Sequence, residues 1–199
     1  WPTWAELGLA YVQQARLTAD PTYYPRAQGA LDRSARLRPT GNHLALTGLG
    51  ALAAARHDFA AALRYGRQAT TIDPYSAPAQ GVVVDALIEL GRYVEAWPAV
   101  QRMLGIDPGL DSLSRASYAE ELLGNSARAG ELLRQALADA SSAADAGYAL
   151  YYLGELAFNA GDLRTAQARY AEGLRRAPAY LPLLEGRGKT EGASGGPPR

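Results

Sequence analysis

Hydrophobic positions recur along this chain with a spacing of three and four, in stretches of about 14 residues separated by short polar breaks. That spacing gathers apolar side chains on one face of an α-helix, so the pattern predicts helices. No stretch reads as a strand. The predicted helices come in pairs. A two-residue turn separates the members of a pair: HD at 57–58, GR at 91–92, GN at 124–125 and GD at 161–162, at intervals of 34, 33 and 37 residues. The ends of the pairs carry Pro39, Pro74, Pro108 and Pro178. The first two proline intervals are 35 and 34, and the last, 70, has room for two units with a degenerate boundary. Asp58, Asn125 and Asp162 stand where a side-chain oxygen can accept from the free N–H groups of the next helix. One helix pair cannot bury both of its faces, whereas stacked pairs share a continuous core.

The residues at fixed positions of this unit carry a resemblance. Trp4, Leu7, Gly8 and Tyr11 form W-x2-L-G-x2-Y, followed by Ala27, Leu31, Ser34 and Pro39. Later copies hold Leu49-Gly50, Ala53, Ala62, Ala69 and Pro74; Val83, Leu87, Ala96 and Pro108; Leu123-Gly124, Ala129, Leu133 and Ala136; and Leu153-Gly154, Ala157, Ala166, Tyr170 and Pro178. This resembles the tetratricopeptide repeat (TPR) family, in five degenerate copies. The resemblance implies an all-α fold, an α-α superhelix or solenoid of antiparallel helix pairs. The array is expected over residues 2–187, with repeats at about 2–39, 42–74, 76–108, 110–140 and 146–178 and a partial capping helix at 179–187. Residues 188–199 have the composition of a flexible tail. Small residues such as Gly154 and Ala166 are expected where paired helices cross closely.

Two copies depart from the unit. Repeat one has seven extra residues between Tyr11 and Ala27, so its first helix is expected to run to about Thr18 and bend at Asp20-Pro21. Pro98 falls inside the second helix of repeat three, where a local kink is expected.

Composition narrows the function. Twenty basic residues balance twenty acidic ones, which gives no electrostatic footprint for nucleic acid or an anionic membrane. Lys189 is the only lysine; the arginine bias points to a GC-rich genome, and a bacterial source is expected. Cysteine is absent, which leaves the compartment open. No apolar run approaches the roughly 20 residues of a membrane span, and Trp1-Pro2 does not resemble a secretion signal. The chain reads as a fragment or processed product, with the cytoplasm marginally favoured. His43 and His57 lack a second ligand at metal spacing. No G-x-S-x-G elbow or phosphate-binding glycine loop is present. The expectation is no enzyme, no catalytic or metal-binding residues and no cofactor. Glu120 and Glu121 read as a solvated helix face.

The resemblance also implies a location for binding. In TPR proteins the first helix of each pair lines a concave groove. Carried over by repeat position, the groove residues are Leu44, Thr47, Gly48, Ala51, Ala54 and Ala55, a small and bland set; Gly81, Val82, Asp85, Ile88 and Glu89; Asp111, Ser114, Arg115, Tyr118, Glu121 and Leu122; Tyr148, Tyr151, Tyr152, Glu155, Phe158 and Asn159; then Tyr180, Leu183, Leu184 and Arg187. Leu150, Leu153, Gly154 and Ala157 fall on the core side. Only Arg115 suits a clamp for a terminal carboxylate, so that family subtype is disfavoured. Asp85, Glu89, Tyr118, Glu121, Tyr148, Tyr151, Tyr152, Glu155, Phe158, Asn159 and Tyr180 are the candidate site: aromatic, acidic and suited to a cationic peptide or protein segment. Two readings stay open at this level. The groove binds a partner, or its rings are covered by neighbouring parts of the array and the chain is a self-associating scaffold, a homo-oligomer through its ends, or a regulatory spacer in a larger protein.

Overall fold

The computed structural model describes residues 1–18, 20–193 and 195, apart from the side chain of Leu17. Among these residues there are eleven helices and no strand: α1 (Pro2–Thr18), α2 (Tyr23–Leu37), α3 (His43–Ala55), α4 (Phe59–Ile72), α5 (Ala77–Glu89), α6 (Tyr93–Ile106), α7 (Leu110–Leu122), α8 (Ser126–Ala138), α9 (Ala143–Asn159), α10 (Leu163–Arg176) and α11 (Leu181–Ala193). The fold class is therefore all-α, built from successive helix pairs. The chain divides into two compact units, Trp1–Asp107 and the remainder from Pro108. The first holds α1 to α6 and the second α7 to α11.

The turn within each later pair has one backbone solution. His57, Gly91, Gly124 and Gly161 adopt φ values of 60°, 72°, 84° and 79°, the left-handed region. In each case the next N–H reaches back five residues: Asp58 to Ala53 O, Arg92 to Leu87 O, Asn125 to Glu120 O and Asp162 to Ala157 O, at 2.8–2.9 Å. These are Schellman closures, which satisfy carbonyls that the ending helix leaves open. Glycine occupies three of the four positions because it has no Cβ to oppose this φ.

Side-chain caps then start the helices. Asp58 accepts from Ala61 N and Asp162 from Thr165 N, both at 3.0 Å. Asn125 does not cap. Its amide instead donates to Glu120 Oε2 at 2.8 Å. Glu120 is accordingly buried rather than solvated. Burial is tolerated because the carboxylate keeps a hydrogen-bond partner.

Helix α1 ends at Thr18, as the sequence predicts. Pro98 sits inside α6, which continues through it to Ile106. Helix α11 runs on to Ala193, so residues 188–193 are helical and the predicted tail does not begin at 188. Ser194 and residues 196–199 lie outside the described residues.

Close packing is set by glycines facing large side chains. In the first unit Val12, Ala27, Leu31 and Leu52 form a cluster with Tyr11, Tyr24 and Leu49 around it. Val82 is buried where Gly50 leaves room: a Cβ on Gly50 would lie 2.7 Å from Val82 Cγ1. Val82, Gly81 and Ile88 are thus packing residues and not part of a groove. In the second unit Ala166, Tyr170 and Leu183 form the cluster, and all three are fully buried. The Tyr170 ring faces Gly154 on α9 and Gly186 on α11, where added Cβ atoms would fall within 2.8 Å of ring atoms. Leu183 lies against Gly173 of α10 and is likewise core, not groove.

Candidate functional site

Nine of the eleven candidate residues lie in the second unit, and α9 supplies six of them. The buried stripe of α9 is Ala146, Gly147, Ala149, Leu150, Leu153 and Gly154. Its tyrosines sit beside that stripe. Tyr148 and Tyr151 are partly buried, whereas Tyr152 keeps 41% of its surface exposed. The rings form a connected series. Tyr152 lies 4.7 Å from Tyr148 and 5.0 Å from Tyr151, centroid to centroid. Tyr151 lies 6.2 Å from the buried Tyr170. Tilted and edge-on pairs at these distances are favourable ring geometries.

Burial holds the Tyr148 phenol well above its ordinary pKa, with Tyr152 adding to the effect; Ser114 and Arg115 of α7 act in the opposite direction. Tyr148 thus reports the proximity of α7 and α9. Tyr118, on α7, is 47% exposed. Tyr180, just before α11, is partly buried, and burial with the neighbouring Tyr152 raises its pKa.

The two candidate acids of this unit, Glu121 and Glu155, are engaged. Glu121 accepts from Asn159 Nδ2 at 3.0 Å, a contact between two candidate residues on different helices. Glu155 holds two donors. Tyr170 Oη donates to Oε1 at 2.7 Å, and Lys189 Nζ donates to Oε2 at 2.8 Å. The same ammonium lies 5.3 Å from the centroid of Phe158. Phe158, Tyr151 and Tyr180 pack against the Ala166–Tyr170–Leu183 cluster and are partly covered by it. The repeat position of Lys189 alone did not single it out. The usable signal was separation: residues 155 and 189 are 34 apart, one repeat, with opposite charges.

The other two candidates lie in the first unit. Asp85, partly buried, and Glu89, exposed, line an open cleft of about 360 Å³ together with Arg16, Tyr24, His57 and Phe59. Tyr24 is fixed there by donating to Ala55 O at 3.2 Å, and the His57 ring meets Phe59 edge-on at 5.6 Å. Of this lining, repeat position marks Ala54, Ala55, Asp85 and Glu89 and does not mark Arg16, Tyr24, His57 or Phe59.

Among the described residues no group of three histidine, cysteine or acidic side chains is placed to hold a metal ion. Among them, too, no helix is long and apolar enough to cross a membrane.

No known family model matches the sequence, and no curated protein matches it. Solved structures do match the fold. A thermophilic TPR protein of Thermus thermophilus, TTC0263, superposes with a TM-score of 0.80 at 21% identity, covering 94% of this chain and 98% of that one. PilW, a widely conserved type IV pilus biogenesis factor, superposes at 0.73 with 19% identity, over 96% of this chain and 86% of its own. Human IFIT1, in a dimer with m7Gppp-AAAA, superposes at 0.72 with 16% identity, over 92% of this chain and 44% of its own. The chain therefore has the TPR fold, and the resemblance drawn from its repeats holds at that level.

Proposed function

We propose that this chain is a protein-interaction module that holds a segment of another protein against the aromatic surface of its second unit. The observation that carries this is Tyr152, which touches the rings of both Tyr148 and Tyr151 and still keeps 41% of its surface exposed. A ring held in place by other rings binds with little further loss of rotamer freedom, and its hydroxyl adds a polar handle. Tyr118 extends the exposed aromatic area onto α7. A basic segment is favoured, because an arginine both stacks on a tyrosine and pairs with a carboxylate such as Glu121. In the first unit the open cleft brings Asp85 and Glu89 beside Tyr24 and Phe59, but with Arg16 in the same lining, so the second unit is the better receptor for a basic segment.

IFIT1 shares the fold and is seen with an RNA cap fragment. The even balance of 20 basic and 20 acidic residues here favours a protein partner over RNA. The role is one of binding, not catalysis.

The test is affinity capture followed by mass spectrometry, with Tyr118→Ala/Tyr152→Ala beside the unaltered chain. Both rings are exposed, so helical circular dichroism should be unchanged while the partner is lost. Retention of every partner by the double variant would refute the aromatic surface as the binding site. Self-association is the second reading, favoured by Leu181, 74% exposed on α11, with Leu184 beside it. Light scattering on Leu181→Asp separates the two: a drop in mass with partner capture intact would support self-association.

A further inference from the structure

Helix α11 covers one flank of the aromatic surface, and it does so with a helix of poor intrinsic stability. Its sequence, LPLLEGRGKTEGA, holds three glycines and a proline in thirteen residues. Each interior glycine weakens a helix relative to alanine. Gly186 has a packing reason, the Tyr170 ring, but a Cβ at Gly188 or Gly192 would meet nothing within 4 Å. Two of the three glycines thus loosen the helix without a packing return. Leu183, Gly186 and Thr190 of α11 are buried, as many residues as in α10, but α11 packs less extensively against α9 and α10 than those two helices pack against each other. Segments with few buried contacts open locally well before the whole fold does.

What fastens α11 at its far end is a built cation site. The Tyr170 ring is fully buried, and its hydroxyl fixes one oxygen of Glu155 at 2.7 Å. The other oxygen receives Lys189 at 2.8 Å, and the face of Phe158 lies 5.3 Å from the same nitrogen. A carboxylate oriented from below and a ring beside it form a receptor for one ammonium group. Glu155 and Phe158 both stand on α9, and Tyr170 stands on α10, so the receptor does not depend on α11 for its parts. It is occupied by the only lysine of the chain. Leu183 fills the notch over Gly173 six residues earlier.

From this we infer that α11 is a displaceable internal occupant, and that the face beneath it receives a partner helix carrying leucine and lysine at the spacing of Leu183 and Lys189. The inference rests on the proposed binding role of the second unit and adds its regulation. With α11 seated, Tyr152 and Tyr118 are open while Tyr151, Phe158 and Glu155 are covered or neutralised. With α11 released, the whole face is available. The affinity of an incoming helix is then reduced by the fraction of molecules in which α11 is closed.

The experiment uses the full chain, its Lys189→Met variant and a labelled synthetic peptide of residues 179–191. Hydrogen exchange at the amides of α11 should be about tenfold faster in Lys189→Met, the combined effect of one partly exposed ion pair and one cation–π contact. Exchange in the interior of α10 should stay unchanged. The peptide should bind Lys189→Met about tenfold more tightly than the unaltered chain. Its binding should fall about tenfold when its own lysine is replaced by methionine, and likewise when Glu155→Gln is added to the receiving chain. Unchanged α11 exchange in Lys189→Met would overturn the inference, as would equal binding of the methionine peptide. Either failure leaves the Tyr118/Tyr152 capture experiment standing, so the two readings fail separately.

Discussion

Replacing Gly154 by alanine sets two effects of opposite sign against each other. In the middle of a helix, alanine is favoured over glycine by about 1 kcal/mol. At Gly154 the new methyl would lie 2.7 Å from Tyr170 Cδ1 and 2.8 Å from Cζ, with Cε1 closer still. Ordinary carbon contacts need roughly 3.5–4.0 Å, so the ring has to move by more than about an ångström. It has little freedom to do so. Gly186 bounds the ring from α11, and Glu155 holds the hydroxyl. Overpacking of a fixed core side chain costs about 1–3 kcal/mol. The net expectation is a loss of up to about 2 kcal/mol, or several degrees in Tm for a chain of this size. Gly188→Ala is the matched control: same unit, helix interior, nothing within 4 Å of the added methyl. It should stabilise by about 1 kcal/mol. Thermal unfolding followed by circular dichroism, with hydrogen exchange in α10 to isolate the second unit, reads both. If Gly154→Ala raises Tm together with Gly188→Ala, Tyr170 does not sit between the glycines and the placement of α9 against α10 is wrong.

Two further outcomes follow from the geometry. His57 takes the position that glycine holds in the three equivalent turns, at φ 60°; His57→Gly should stabilise by about 0.5–1 kcal/mol despite the lost ring contact with Phe59, and His57→Val should destabilise, as read from denaturant midpoints. Burial first, and the nearby Glu155 and Glu185 after it, push the Tyr151 pKa up to about 12 from the ordinary tyrosine value of 10.0, and Tyr148, Tyr170 and Tyr180 shift in the same direction. The folded state thus holds these protons more tightly than the unfolded chain; for Tyr151 the contribution is complete below pH 10 and is lost as pH rises through the window from about 10 to 12. Tm should fall over that window, and Tyr151→Phe should make the fall shallower; an unchanged slope would show that Tyr151 ionises alike in both states.

Much of the fold was legible because it depends on local rules repeated several times. The turn signals at 57, 91, 124 and 161 each require the same backbone conformation, and the structure gives each of them a positive φ. Asp58 and Asp162 cap as their chemistry suggests. Asn125 could not be foreseen, because its amide has a competing acceptor in Glu120 that only the folded pair brings near. Helix α11 outran its predicted end since two unpacked glycines argue against a helix locally, whereas Leu183, Gly186 and Thr190 hold it from outside. At the candidate site Leu150 and Leu153 are buried and Tyr152 is exposed, while Tyr148 and Ala157, assigned to opposite sides by position, are both half-buried. Position rules misplaced Val82, Ile88 and Leu183, of which Val82 and Leu183 fill notches at glycines on neighbouring helices.

These errors and the partnership of Glu155 have one physical origin. A position rule assigns each residue a face of its own repeat and leaves the next repeat out. Stacked first helices, however, place residues one repeat apart beside each other, much as one helix places residues four apart on a common face. Glu155 and Lys189 are separated by 34 residues and bond at 2.8 Å. Glu121 and Asn159 are separated by 38 and bond at 3.0 Å, one position beyond the 37-residue spacing of their turns. A carboxylate with a basic residue one period ahead is therefore partly neutralised before any partner arrives. Acidic residues in a repeat array attract a cationic ligand only after that internal pairing has been subtracted. Applied here, the subtraction removes Glu155 from the open surface, and under the proposed binding role it leaves the exposed rings of Tyr118 and Tyr152 as the first contact for an incoming segment.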